Sequence, residues 1–138
     1  VRLVREVPAP DNEHLGVRSP REAWRLLAPS LENEEVEVFM VILLDAQHRA
    51  VGRVEVTRGI LNSSLMHPRE VFRVAIAMNA AAIILAHNHP SGDPTPSADD
   101  RAVTDQLVAA GRLLNIPVHD HIIVGRGRYL SFAEAGMM

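Results

Sequence analysis

Cysteine is absent from the 138 residues, which removes thiol nucleophiles, cysteine zinc fingers, iron–sulfur ligation and any disulfide framework together. Aromatic residues are scarce at 4%, so the stacking platforms that hold single-stranded nucleic acid are poorly supplied. Positive charge is not in excess: 14 Lys and Arg stand against 17 Asp and Glu, a formal net charge of −3. That is the wrong sign for a domain that grips a polyphosphate by counterion release, and any nucleic-acid binding is expected to be weak. No apolar run reaches the roughly 18–20 residues of a membrane span, and residues 1–10 lack the apolar stretch of a signal peptide. The expectation is a soluble cytoplasmic domain without membrane contact.

What is present is a 47% hydrophobic composition. A chain of this length buries about two thirds of the surface its unfolded form exposes, so it can hold a core without a metal staple. A bound metal is then expected to be functional, and the donors for it are Asp, Glu and the seven histidines.

Residues 1–19 mix Pro8, Pro10 and Gly16 with scattered charges and read as an arm or edge segment. Residues 20–138 read as one domain. Ser19 caps a helix with Pro20 at its first position and Glu22 three residues on, and Pro29 is expected to disturb its last turn. Residues 36–44 are apolar on both faces, as a strand inside a sheet requires, and return through residues 45–48 into a second strand over 50–57. His67-Pro68-Arg69-Glu70 opens a second helix. A short buried strand, residues 83–86, is expected to end at Ala86 and give way to an irregular polar segment over 87–96. Ser97 caps a third helix closing near Asn115, and residues 118–124 and 129–132 form the last strands. Helices alternating with strands predict a layered α/β core with a mixed sheet, antiparallel in the hairpin and parallel across the helical crossovers.

The chemistry concentrates at the end of the 83–86 strand. In extended backbone His87 and His89 point the same way and can converge on one ion, while Asn88 faces the opposite side. Chance and ordinary hydrogen bonding account for such a pair equally well. Asp100 adds weight, because it lies in the first turn of the helix capped by Ser97 and leans back toward the histidines. Ser97 with Asp100 also reads as a plain capping box. Two histidines and a carboxylate leave a fourth tetrahedral position open for water, the pattern of a catalytic zinc, one per chain.

His87-Asn88-His89-Pro90, followed by Ser97 and Asp100, resembles the His-x-His-Pro…Ser-x-x-Asp motif of the JAMM (MPN domain) zinc metallopeptidases. Further segments resemble the RadC-like branch of that superfamily: Glu37-Val38-Phe39, Leu61-Asn62, His67 to Phe72, Ser91-Gly92-Asp93 and Asp120-His121-Ile122-Ile123-Val124-Gly125. The resemblance covers residues 19–136. It implies a three-layer α/β/α fold with a mixed sheet, the JAB/MPN fold shared with cytidine deaminases, whose own zinc chemistry is excluded here because it uses cysteine ligands. It also implies that His87, His89 and Asp100 bind zinc, that an upstream Glu is the general base, and that Ser97 steadies the tetrahedral intermediate. The activity implied is cleavage of a peptide or isopeptide bond by zinc-activated water. A non-catalytic module for DNA repair or protein interaction is the alternative, and a metal-dependent nuclease the third. Longer RadC-like proteins carry a helix-hairpin-helix region that residues 1–19 are too short to form.

For the general base, Glu34 and Glu35 lie in an acidic, solvated turn, and Glu55 reads as an outward charge on the hairpin's second strand. Glu37 opens a strongly apolar strand, where a carboxylate is out of place unless it has a role; an exposed strand-end charge is the plain alternative. His119 and His121 form a second His-x-His with no third ligand at a convincing spacing and read as structural, with Asp120 and His121 as supports of the site. His67, just before a helix-opening proline, reads as local.

Overall fold

A computed structural model of the chain describes the backbone of residues 5–7 and all of residues 16–138. Its centre is β2 (Val38–Leu44), every residue of which is buried. Phe39, Val41 and Leu43 enter one core and Val38, Met40, Ile42 and Leu44 the other. That alternation is why the strand reads as a continuous apolar run. β2 lies between β3 (Ala50–Arg58) and β4 (Ala82–Asn88) and is antiparallel to both. β4 divides likewise, with Ile83 and Leu85 on the first face and Ala82, Ile84 and Ala86 on the second.

Helix α1 (Pro20–Leu31) covers the second face with Ala23, Leu27 and Leu31. Helices α2 (Pro68–Ala77) and α3 (Ala98–Leu114) cover the first with Val71, Phe72, Ala75, Val103 and Leu107. The architecture is three-layer α/β/α around a six-stranded mixed sheet, in the order β1-β3-β2-β4-β5-β6 with β1 (Arg5–Val7), β5 (Val118–Val124) and β6 (Tyr129–Ser131). Of the N-terminal segment, residues 5–7 pair antiparallel with β3 and Val17 packs into the second core; residues 1–4 and 8–15 lie outside the described residues. None of the described helices is long and apolar enough to cross a membrane.

The strands joined by helical crossovers run in the same direction, as expected: β4 and β5 are adjacent across α3, and β3 and β4 have β2 inserted between them. Three expectations are corrected. The strand expected to stop at Ala86 runs on to Asn88, because Phe39 of β2 and Ile123 and Val124 of β5 flank it and extend the ladder despite the polar side chains. Helix α1 continues through Pro29 to Leu31, since a proline so near the end removes a single intrahelical bond. Glu55, expected to face outward, is buried: β1 pairs along β3, and the Glu55 carboxylate meets Arg58 Nη2 at 2.6 Å.

Candidate metal centre

Antiparallel pairing places the start of β2 beside the end of β4, with Phe39 opposite His87. Glu37, two residues before Phe39, therefore comes alongside the histidines. The 89–97 loop then returns the chain so that the first turn of α3 closes the same space. Glu37, His87, His89 and Asp100 meet there, one ligand atom from each lying within 4.8 Å of all the others. His87 Nε2 is 3.0 Å from His89 Nε2 and 3.1 Å from Asp100 Oδ1, and His89 Nε2 is 3.1 Å from Asp100 Oδ2. These separations approach the ~3.3 Å edge of a tetrahedron of donors about 2 Å from a central ion. Glu37 Oε1 stands further back, 4.0 Å from His87 Nε2. This cluster can hold a metal ion.

The candidate ligands are oriented from behind. His89 Nδ1–H donates to the carbonyl of Asp93 at 2.8 Å, which directs its Nε2 lone pair into the cluster. Ser97 and Asp100 form the capping box of α3: Asp100 N donates to Ser97 Oγ at 3.0 Å, and Ser97 N donates to Asp100 Oδ2 at 2.8 Å. The capping reading is borne out, and it is compatible with a place for both residues at the site. The Ser97 hydroxyl accepts in this bond and keeps its own proton to donate.

Charge follows from burial and neighbours. Burial alone drives the Asp100 carboxyl upward, but hydrogen bonds from His87, His89 and the Ser97 N–H outweigh it and hold Asp100 well below the usual carboxylate range. The Asp100 hydrogen bond raises His89 against the opposing effect of its burial. Burial raises Glu37, with His87 and His89 pulling it back. A raised carboxyl beside a cation site is suited to taking up and passing on a proton.

Asn88, which the alternation sends to the other side, hydrogen-bonds to the backbone of Val36 and Val38, the two neighbours of Glu37. The loop between β3 and α2 is fastened on both sides of the cluster, by Gly59 N to the Glu37 carbonyl at 2.7 Å and by Ser63 N and Oγ to Asp99 Oδ1 at 3.0 and 2.7 Å. His121 lies behind His87, their nearest ring nitrogens 2.8 Å apart, and Thr104 of α3 lies behind His121. Thr104 was not singled out by the sequence, although its place one turn after Asp100 on the same helical face was a usable signal. Asp120, also buried, accepts from His121 N, Ala133 N and Ser131 Oγ and ties β5 to the chain after β6.

The remaining candidates lie elsewhere. Exposed His119 stacks on His48 with ring centroids 5.1 Å apart. His67 stands at the N-cap of α2 without a side-chain capping bond. Glu34 and Glu55 both pair with Arg58, and Glu35 is exposed.

A three-layer α/β/α domain with two histidines and an aspartate at one strand end, and a glutamate facing them, is a JAB/MPN-type domain. The RadC-like JAB domain family model matches residues 17–137, and the chain belongs to that family. It is 47% identical to a UPF0758 protein of Symbiobacterium thermophilum over 91% of this chain and 58% of that protein. It is 50% identical to a UPF0758 protein of Pelobacter propionicus over 87% of this chain and 52% of the relative. A UPF0758 protein of Geotalea uraniireducens is 48% identical over 87% and 53%. The chain thus spans a little over half the length of these relatives.

Proposed function

We propose that this domain is a zinc-dependent hydrolase that cleaves a peptide or isopeptide bond, with one zinc ion held by His87, His89 and Asp100. The observation that carries the reading is the set of 3.0–3.1 Å separations that join the Nε2 atoms of His87 and His89 to each other and to the two oxygens of Asp100, with the Glu37 carboxylate further back, 4.0 Å from His87. Imidazole and carboxylate donors with a position left open suit Zn²⁺. When bound, such an ion polarises a carbonyl and acidifies water.

The chain's own residues supply the rest. Glu37, raised by burial, takes a proton from the attacking water and delivers it to the leaving amine. Ser97, its oxygen engaged by Asp100 N, donates its hydroxyl proton to the developing oxyanion. The substrate is a peptide or protein, and the acidic balance of the chain makes duplex DNA at most a weak, salt-sensitive ligand.

The test is elemental analysis of the purified protein and of a His87→Ala/His89→Ala variant, alongside assays against peptide and nucleic-acid libraries. We expect one zinc per chain in the parent, none in the variant, and cleavage of peptides only. Stoichiometric zinc in the double variant would place the site elsewhere. Metal without any cleavage would favour a binding module, and cleavage of nucleic acid alone would favour a nuclease.

A further inference from the structure

Behind the cluster lies a group that the proposed reaction does not use. His121 is fully buried in β5, stacked on Phe132 with ring centroids 4.7 Å apart and meeting the ring of Phe39 edge-on at 5.9 Å. Two aromatic rings fix its plane. Its two nitrogens are both engaged, Nε2 with His87 Nδ1 at 2.8 Å and Nδ1 with Thr104 Oγ1 at 2.6 Å. Thr104, also fully buried, places the same Oγ1 2.7 Å from the carbonyl oxygen of Asp100.

The direction of this chain follows from a proton count. A carbonyl only accepts, so the single hydroxyl proton of Thr104 goes to Asp100 O. Thr104 Oγ1 must then accept from His121 Nδ1–H. A neutral imidazole carries one N–H, which leaves His121 Nε2 as an acceptor, and the proton it accepts is the one on His87 Nδ1. His121 is fully buried, and its ring nitrogens meet a hydroxyl and an imidazole with no carboxylate against either, so it stands in the neutral form.

We propose that His121 and Thr104 are positioning residues of the metal centre: their one-way hydrogen-bond chain holds the His87 proton on Nδ1 and presents the Nε2 lone pair to the ion. The chain runs from one ligand, His87, to the backbone of another, Asp100, so the orientation of the first depends on the helix that carries the second. Reversing the chain would put a proton on His87 Nε2, where an ion must bind. The metal-binding half of this inference rests on the zinc reading above; the proton placement does not.

The experiment has two arms. In metal-free protein with ¹⁵N-labelled histidine, at a pH where solvent-exposed imidazoles are neutral, two-bond ¹⁵N–¹H correlation spectra should show His121 as the Nδ1–H tautomer and a proton on His87 Nδ1, whatever His87 Nε2 shares with Asp100. The Nε2–H tautomer at His121 would overturn the proposal, and this readout needs no variant to fold. In the second arm, zinc affinity is measured by competition with a chelator. Thr104→Val should weaken it about 10–100-fold, and Thr104→Ser, which restores the hydroxyl, should recover it. A Thr104→Val protein that binds zinc as tightly as the parent, or a Thr104→Ser protein as weak as Thr104→Val, would also overturn it. A parent that takes up no zinc would refute the zinc reading while leaving the tautomer spectra to judge the chain.

Discussion

Asn88 holds Glu37 by its two flanks. The Asn88 Oδ1 accepts from Val38 N at 2.7 Å and the Nδ2 donates to Val36 O at 2.9 Å. β2 and β4 are joined backbone to backbone as far as Phe39 opposite His87, and beyond that point a side chain takes over the ladder. The residue between the two histidines thereby anchors the segment that carries the proposed base.

Replacing Asn88 by Leu, similar in size but without polar atoms, strands a buried N–H and a carbonyl. The expected loss is about 1–3 kcal/mol of stability, read as a lower urea midpoint in the metal-free protein. An unchanged midpoint would show that the amide contributes nothing.

Glu37→Gln keeps the size of the side chain and removes its capacity to take a proton. Zinc content and unfolding midpoint should match the parent, while turnover on a cleaved peptide falls at least about a hundredfold, the lower end for lost general-base catalysis. Retained turnover with zinc still bound would remove Glu37 from the mechanism.

The convergence of His87, His89 and Asp100 was legible in the sequence because two simple periodicities govern it. The two-residue repeat of extended chain puts His87 and His89 on one side, and a helix N-terminus leans Asp100 toward them. What escaped depends on lateral pairing. The link from His121 to His87 arises because β4 and β5 run parallel with Leu85 beside His121, and no periodicity within either strand reports which strand lies next to it. The burial of Glu55 depends on a pairing between Arg5 and Glu55, fifty residues apart in the chain. The extension of β4 past Ala86 is a tertiary effect too, since neighbours on both sides override the turn-like composition of His87 and Asn88.

Stability of the metal-free protein should depend on pH through His89 and Asp100. The Asp100 carboxyl is held below its unfolded value, so its contribution is present above about pH 3.9 and is lost as the pH falls through the folded value. His89 is raised above its unfolded value, so its contribution is complete below about pH 6.5 and is lost as the pH rises through the folded value. The difference in melting temperature between the parent and Asp100→Asn should peak between about pH 4 and about pH 6.5 and narrow on both sides. A difference that stays constant from acid to alkali would contradict this coupling.

Gly125 follows β5 where the loop bearing His89 folds back against it. A Cβ there would stand 2.5 Å from the Gly92 carbonyl oxygen and 3.0 Å from Pro94 Cδ, and the first is a backbone atom that must move. Asp93, which orients His89 through its carbonyl, lies between those two residues. Gly125→Ala should therefore lower zinc affinity as well as stability, whereas Gly127→Ala, with open space around its Cβ but a strained positive φ, should cost stability alone. Equal zinc affinity in Gly125→Ala and the parent would show that the loop absorbs the displacement without turning the imidazole.

The alternation along β4 also constrains how such a site can change over generations. His87, Asn88 and His89 serve two opposite faces in strict turn, and the same run is locked laterally to β2 and β5. Inserting or deleting one residue between Ala86 and His89 would exchange the faces of everything beyond it, sending an imidazole to the place of the amide. The candidate metal-binding stretch can therefore be altered by point substitution but not by slippage.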